Sequence, residues 1–144
     1  MMIKRARVPV SELFRHVNPM RGTLWDCEQI DVQEVLNATK DREFESRNWD
    51  SLKDQLHGTE EGRTFHIRRI ALLSQSPIDD GPEHSIQLNI DQQPDGSQIG
   101  ILNGNHRVAA AFFAEVDMLD VTVYVQDEDD LMDVLPGAFY YESK

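Results

Sequence analysis

At 144 residues, with 40% hydrophobic and 28% charged positions, the chain has the size and composition of one ordinary folded domain, and no apolar run in it is long enough to span a bilayer. A net charge of −12 disfavours nucleic acid as a partner unless the basic residues gather on one face. The one cysteine, Cys27, excludes an internal disulfide and a multi-cysteine zinc site, reads as an ordinary thiol and fits a reducing, cytoplasmic setting.

In chain order, the basic start Met1 to Arg5 has no long apolar segment behind it and does not read as a signal peptide. Ile3 to Val10 reads as an edge strand with Pro9 near its end, after which Ser11 would cap a short helix, Glu12 to Val17. Asn18-Pro19 and Arg21-Gly22 are turns. Asp31 to Leu56 is helical in character: Asp31 caps Val32 to Thr39, and Trp49, Leu52 and Leu56 recur at helical spacing before Gly58, which makes Trp49 a core anchor. Thr64 opens a further helix carrying the stripe Ile67, Ile70, Ala71 and Ser74, and Pro77 stops it at Ser76. Ile78 to Pro82 is a loop.

The second half alternates more cleanly. Ile86, Leu88 and Ile90 mark a half-buried strand, Gln93-Pro94-Asp95-Gly96 a tight turn, and Ile99 to Leu102 the returning strand of an antiparallel hairpin. A helix follows, Asn105 to Val116, with Ala109, Phe112, Phe113 and Val116 on its buried face. Val121, Val123 and Val125 form another strand, so Ile99–Leu102 and Val121–Val125 are expected to be parallel partners in a right-handed crossover. The acidic run Asp127 to Asp130 opens a last helix, up to Leu135, as a solvated first turn or, in the sharper reading, as a surface that mimics nucleic-acid phosphates, and the acidic C-terminal region is the candidate surface for a protein partner. The tail Phe139-Tyr140-Tyr141 is either a strand or a partner surface.

The chemistry concentrates where the strand Ile99–Leu102 gives way to its helix. Amides of a helix's first turn have no partner inside the helix and sit at the positive end of its dipole, which makes an anion site. Gly104 lets backbone approach a ligand, Arg107 offers a forked cation, His106 a donor that titrates near neutrality, and Asn103 or Asn105 a cap or a ligand contact. Arg107 is also the only arginine in the last half of the chain, at a helix start where the dipole disfavours cations, and a bound anion explains it. His66 and His84 have no metal-ligand spacing and read as structural; no metal ligand is assigned.

Ile101-Leu102-Asn103-Gly104-Asn105-His106-Arg107-Val108-Ala109-Ala110-Ala111, followed by Asp120-Val121-Thr122-Val123-Tyr124-Val125, resembles the ParB/sulfiredoxin-like family. Its hallmark is a strand, a Gly-x-His-Arg turn, an alanine-rich helix and a valine-rich strand. Arg69 to Leu73, Pro77 to Pro82 and Ser85 to Leu88 look like the helix, loop and strand that precede the motif, so the resemblance covers about Ile67 to Val125. It implies one α+β (α/β) domain over residues 1–144 with its core at 67–125 and a helical stretch, 11–66, that the family does not account for. It also implies that Asn103, Gly104, Asn105, His106 and Arg107 hold the phosphates of ATP or CTP, with Mg²⁺. The family's branches include partition clamps that hydrolyse CTP, sulfinic acid reductases, small-molecule kinases and nucleases. A sulfiredoxin needs cysteine where Asn105 stands, a partition protein needs DNA-binding and dimerisation domains where only a short acidic stretch follows Val125, and the kinases begin the turn with Asp-Gly where Asn103-Gly104 stands.

Three functions remain in view. A nucleotide-binding hydrolase or small-substrate kinase would use Asp79 or Asp80 as base or metal-side carboxylate and His106 on the phosphate or leaving oxygen. A catalytically silent binding or inhibitor protein would keep the fold without turnover. A nuclease would need the arginines before position 70 on one patch.

Overall fold

The computed structural model of the chain describes residues 1–47, 49–75 and 86–141. The alternating segments become a five-stranded mixed sheet: β1 (Met2–Pro9), β2 (Ile86–Gln93), β3 (Gly96–Asn103), β4 (Met118–Val125) and the two-residue β5 (Phe139–Tyr140), in the order β3-β2-β4-β1-β5. The hairpin β2–β3 forms as expected, with Ile90 opposite Ile99 and Leu88 opposite Ile101. β4 runs antiparallel to β1, placing Val121 opposite Ala6, and β5 adds to β1 only at Ala6 and Arg7. The strand expected over Ile3 to Val10 is therefore flanked on both sides over part of its length.

One expectation is overturned by this order. The crossover helix does not join parallel neighbours. β4 passes β3 and pairs in parallel with β2, Ile86 beside Val121 and Leu88 beside Val123, so β3 and β4 are antiparallel and not adjacent. The hydrophobic effect gives the reason. Ile86, Leu88 and Ile90 of β2 and Val121, Val123 and Val125 of β4 are all buried, whereas β3 has no fully buried side chain. The two most apolar strands sit side by side in the centre and the more polar strand takes the edge.

The described helices are α1 (Val10–His16), α2 (Val32–Lys40), α3 (Lys53–Leu56), α4 (Glu60–Ser74), α5 (Asn105–Phe113) and α6 (Asp129–Val134), with single 3₁₀ turns at Pro19–Arg21 and Trp49–Ser51. α2 starts after Asp31 as expected, and the Glu34 carboxylate accepts from the Asp31 N–H at 3.1 Å. Other boundaries shift. α1 follows Pro9 with no side-chain cap from Ser11, because β1 turns directly into it. Helix does not persist from Asp31 to Leu56: between α2 and the turn at Trp49 the described chain is irregular. α4 opens at Thr59, whose Oγ1 accepts from the Gly62 N–H at 2.9 Å, five residues before Thr64. No described helix is long and apolar enough to cross a membrane.

Two buried clusters meet at α5. One gathers Val8, Leu13, Leu88, Val121, Val123, Leu131 and Leu135 on the sheet side; the other gathers Met20, Trp25, Ile30, Val35, Ile67 and Ile70 from the helical half. Val108 and Ala111 belong to the first cluster, Ala109 and Ala110 to the second. The buried side of α5 is thus its small-residue core, not Phe112, which is 50% exposed and meets Phe14 at 5.4 Å. Alanines have no bulk to hold two layers apart, so sheet and helices approach the α5 backbone from both sides. The acidic run is also less uniform than a solvated turn. Asp130 is buried and accepts from the Gln92 amide at 3.1 Å, and Glu128 pairs with Lys4. The first side chain closes β2 against α6, and the tail closes over the second: Tyr140, in β5, donates its hydroxyl proton to the Glu128 carbonyl at 2.8 Å.

Candidate functional site

Asn103 ends β3, Gly104 turns the chain and Asn105 begins α5. Gly104 has φ +98°, a backbone region that side-chain-bearing residues avoid, and a Cβ there would lie 2.9 Å from Ile86 Cγ1 and 3.2 Å from Ile86 Cα. Glycine is therefore demanded by the turn and by the close seat on β2, without appeal to a ligand. Gly104 itself occupies the cap position, so neither Asn103 nor Asn105 caps the helix. The helical ladder begins with the Val108 N–H bonding to the Gly104 carbonyl at 2.9 Å. Among the described residues no side chain caps the amides ahead of it, and the first turn contains no acidic residue. The first turn therefore adds no negative charge of its own to the positive end of the dipole.

That end opens into a cleft of about 1300 Å³. Asn103 to Arg107 form one wall. The 3₁₀ turn and α3 bring Trp49, Asp50, Lys53, Asp54 and His57, α4 brings Arg69 and Leu73, and the segment after the first 3₁₀ turn brings Leu24 and Trp25. Among the described residues, three permanent cations, Lys53, Arg69 and Arg107, line the cleft with two carboxylates, in a chain whose acids outnumber Lys and Arg by 26 to 14. Arg107 is half-buried in the wall, and Arg69 is steadied by donating from Nη1 to the Glu45 carbonyl at 3.2 Å.

Behind this wall the histidines pair. His66 Nδ1 and His106 Nε2 lie 2.7 Å apart, so one ring donates and the other accepts. Trp25 stacks on both, with centroids 4.0 Å from His66 and 4.8 Å from His106 and interplanar angles of 12° and 15°. Trp49 leans on His66 at 4.3 Å and on Phe65 at 5.2 Å. His66 is 1% exposed and His106 half-buried. Burial pushes each ring down to about 3; the charge of His57 adds to the effect on His66, and those of His66 and Arg69 to that on His106. Both rings are neutral at pH 7. His106 therefore enters the site as a neutral ring bonded to His66.

The expected phosphate turn, Asn103 to Arg107, is brought together on one wall. Asp79 and Asp80, the expected base candidates, lie outside the described residues, and the carboxylates that do line the cleft are Asp50 and Asp54. Trp49 is half-buried at the cleft instead of anchoring a core with Leu52 and Leu56, because the chain around it forms a short turn laid over α4 and not one long helix. Sequence reasoning missed Trp25 altogether, since it lies in an irregular segment without periodicity. His66 had a legible signal: it stands four residues from both Gly62 and Ile70 on the buried face of α4. Among the described residues no group of three or more His, Cys, Asp or Glu is arranged to hold a metal ion. Comparison of the chain with family models, with curated proteins and with solved structures finds no match.

Proposed function

We propose that this protein binds a nucleoside triphosphate, ATP or CTP, with its phosphates at the first turn of α5. The observation that carries the reading is the joining, in one large cleft, of a helix start with no side-chain cap among the described residues, the cations Lys53, Arg69 and Arg107, and a tryptophan wall. Amides and guanidinium together suit a polyphosphate, and Trp49 suits the flat ring at its other end. The order of strand, Asn-Gly-Asn-His-Arg turn, alanine-rich helix and valine-rich strand supports placing the chain in the ParB/sulfiredoxin-like family. Magnesium arriving with the phosphates would be held by Asp50 or Asp54, and would supply neutralisation of phosphate charge. If turnover occurs, the same two carboxylates are the described groups able to orient an attacking hydroxyl or water.

Titration of tryptophan emission with ATP, CTP and GTP, with and without Mg²⁺, tests the reading. One nucleotide should quench the emission and raise the melting temperature, and Arg107→Ala should weaken its binding at least tenfold. An unchanged emission and melting temperature at millimolar concentrations of all three would overturn it. Phosphate release from the bound nucleotide, lost in Asp50→Asn or Asp54→Asn, separates a hydrolase from a binding protein.

A further inference from the structure

We propose that His66 is a positioning residue: it donates its Nδ1 proton to His106 Nε2 and so fixes His106 as the tautomer whose remaining N–H, at Nδ1, is offered to the cleft. This assignment rests on the reading of the cleft as a phosphate site and deepens it. His106 holds an unprotonated phosphate oxygen and takes no proton from an attacking hydroxyl, which leaves that work to a carboxylate. Two neutral arrangements fit the 2.7 Å contact between His66 Nδ1 and His106 Nε2. A neutral imidazole has one N–H and one bare nitrogen, so the ring that donates keeps its other nitrogen bare and the ring that accepts keeps its other nitrogen protonated. One N–H is therefore left over, on His106 Nδ1 if His66 donates and on His66 Nε2 if His106 donates.

Burial decides between them. His66 is 1% exposed, with Trp25 stacked 4.0 Å away and Trp49 4.3 Å away. His106 is half-buried and lines the cleft. Among the described residues neither ring makes a second hydrogen bond, and the enclosed side-chain atom without a partner is Arg5 Nε, so His106 Nδ1 keeps an open side. A buried N–H with no partner costs more than a bare nitrogen in the same place, so the spare proton settles on the ring that can give it to water or to a ligand. Trp25 lies at 12° to His66 and 15° to His106 and holds the two rings 27° from coplanar, which keeps their shared bond close to the plane of both. Burial, with the charges of His57 beside His66 and Arg69 beside His106, keeps either ring from gaining a second proton near neutral pH. At a helix start, a neutral imidazole of this kind polarises an oxygen by donating a hydrogen bond to it.

Long-range proton–nitrogen correlation spectra of the imidazoles near neutral pH, recorded on the protein without ligand, are the test. The expected result is an N–H nitrogen at Nδ1 of both His66 and His106 and a bare nitrogen at both Nε2 positions. The exchanged pattern, or nitrogens averaged between the two tautomers, overturns the proposal. In His66→Phe, with circular dichroism confirming its fold, the His106 nitrogens should move to averaged values. His66→Asn, whose amide nitrogen stands as many bonds from the backbone as Nδ1, should restore the wild-type pattern. A His106 pattern unchanged in His66→Phe overturns the positioning role. Because that variant removes a buried ring, the wild-type spectrum decides the tautomer by itself. Inorganic triphosphate, added without metal, should shift the His106 Nδ1 proton and slow its exchange with water while Nδ1 stays protonated. Binding of triphosphate with Nδ1 bare sinks this assignment and spares the phosphate site. No binding of triphosphate or of any nucleotide sinks the phosphate site and the ligand role given to His106, while the spectrum of the free protein still tests the tautomer.

Discussion

Acidification should unfold this protein early, and the two stacked histidines set the amount. In the unfolded chain each ring titrates near the ordinary value of about 6.5. In the folded chain both are pushed down to about 3. A base whose folded value is lowered binds fewer protons folded than unfolded, so its contribution is complete above the unfolded value and is lost as pH falls from about 6.5 towards 3. Between pH 7.5 and 5.5 each ring then removes about 1.4 kcal/mol, or about 2.7 kcal/mol for the pair, a figure that requires only that the folded values stay well below 5.5. Glu34 and Glu45, held low chiefly by hydrogen bonds from Arg63 and Arg47, lose their contribution only near and below the ordinary carboxylate range and do not confuse this window. Urea unfolding followed by tryptophan emission at the two pH values measures the difference. His66→Phe should halve it and the double variant His66→Phe/His106→Phe should nearly abolish it. A wild-type loss under about 1 kcal/mol, or a full loss in the double variant, would refute the argument.

Other consequences follow from particular contacts. Gly104→Ala forces a side chain into φ +98° and against Ile86, and should cost about 2–4 kcal/mol in urea unfolding; an unchanged midpoint would show that β2 yields there. Arg63 donates to Glu34 at 2.8 Å and to the Gln29 carbonyl at 2.8 Å, tying α4 to α2 and the segment before it. Arg63→Ala should cost about 2 kcal/mol, and Glu34→Gln about half as much, by the same measurement. Trp49→Ala should weaken nucleotide binding about tenfold while leaving the melting temperature of the free protein within a few degrees, because Trp49 is only half-buried. Equal binding by that variant would remove the ring from the proposed pose.

The hairpin, the valine strand and the turn at Gly104 were legible because period-two alternation and Gly chemistry are local. Which strand β4 chooses was not. Alternation places side chains on a face but says nothing about neighbours, and the choice of β2 over β3 was decided by comparing total burial across a sheet not yet assembled. α5 misled for a related reason. Periodicity rewards bulky residues, so Phe112 was set on the buried face beside Ala109 while Ala110 and Ala111 were left off it, although a helix enclosed from two sides buries what is small. Of the cleft, the wall from Asn103 to Arg107 could be read from the chain. The contact of His66 with His106 could not, since 40 residues separate them and only the packing of α4 on α5 brings them together.

The position of α5 gives the cleft a mechanical property. Its alanines are shared by both interior clusters, so the helix acts like an axle seated in two bearings, and its leading turn cannot tilt without disturbing the sheet on one side and α2 and α4 on the other. A ligand gripping that turn would be registered far from where it sits, as slowed amide exchange in β4 and α2 alike, and a loosened α5 would cost the whole molecule its cooperativity along with the grip.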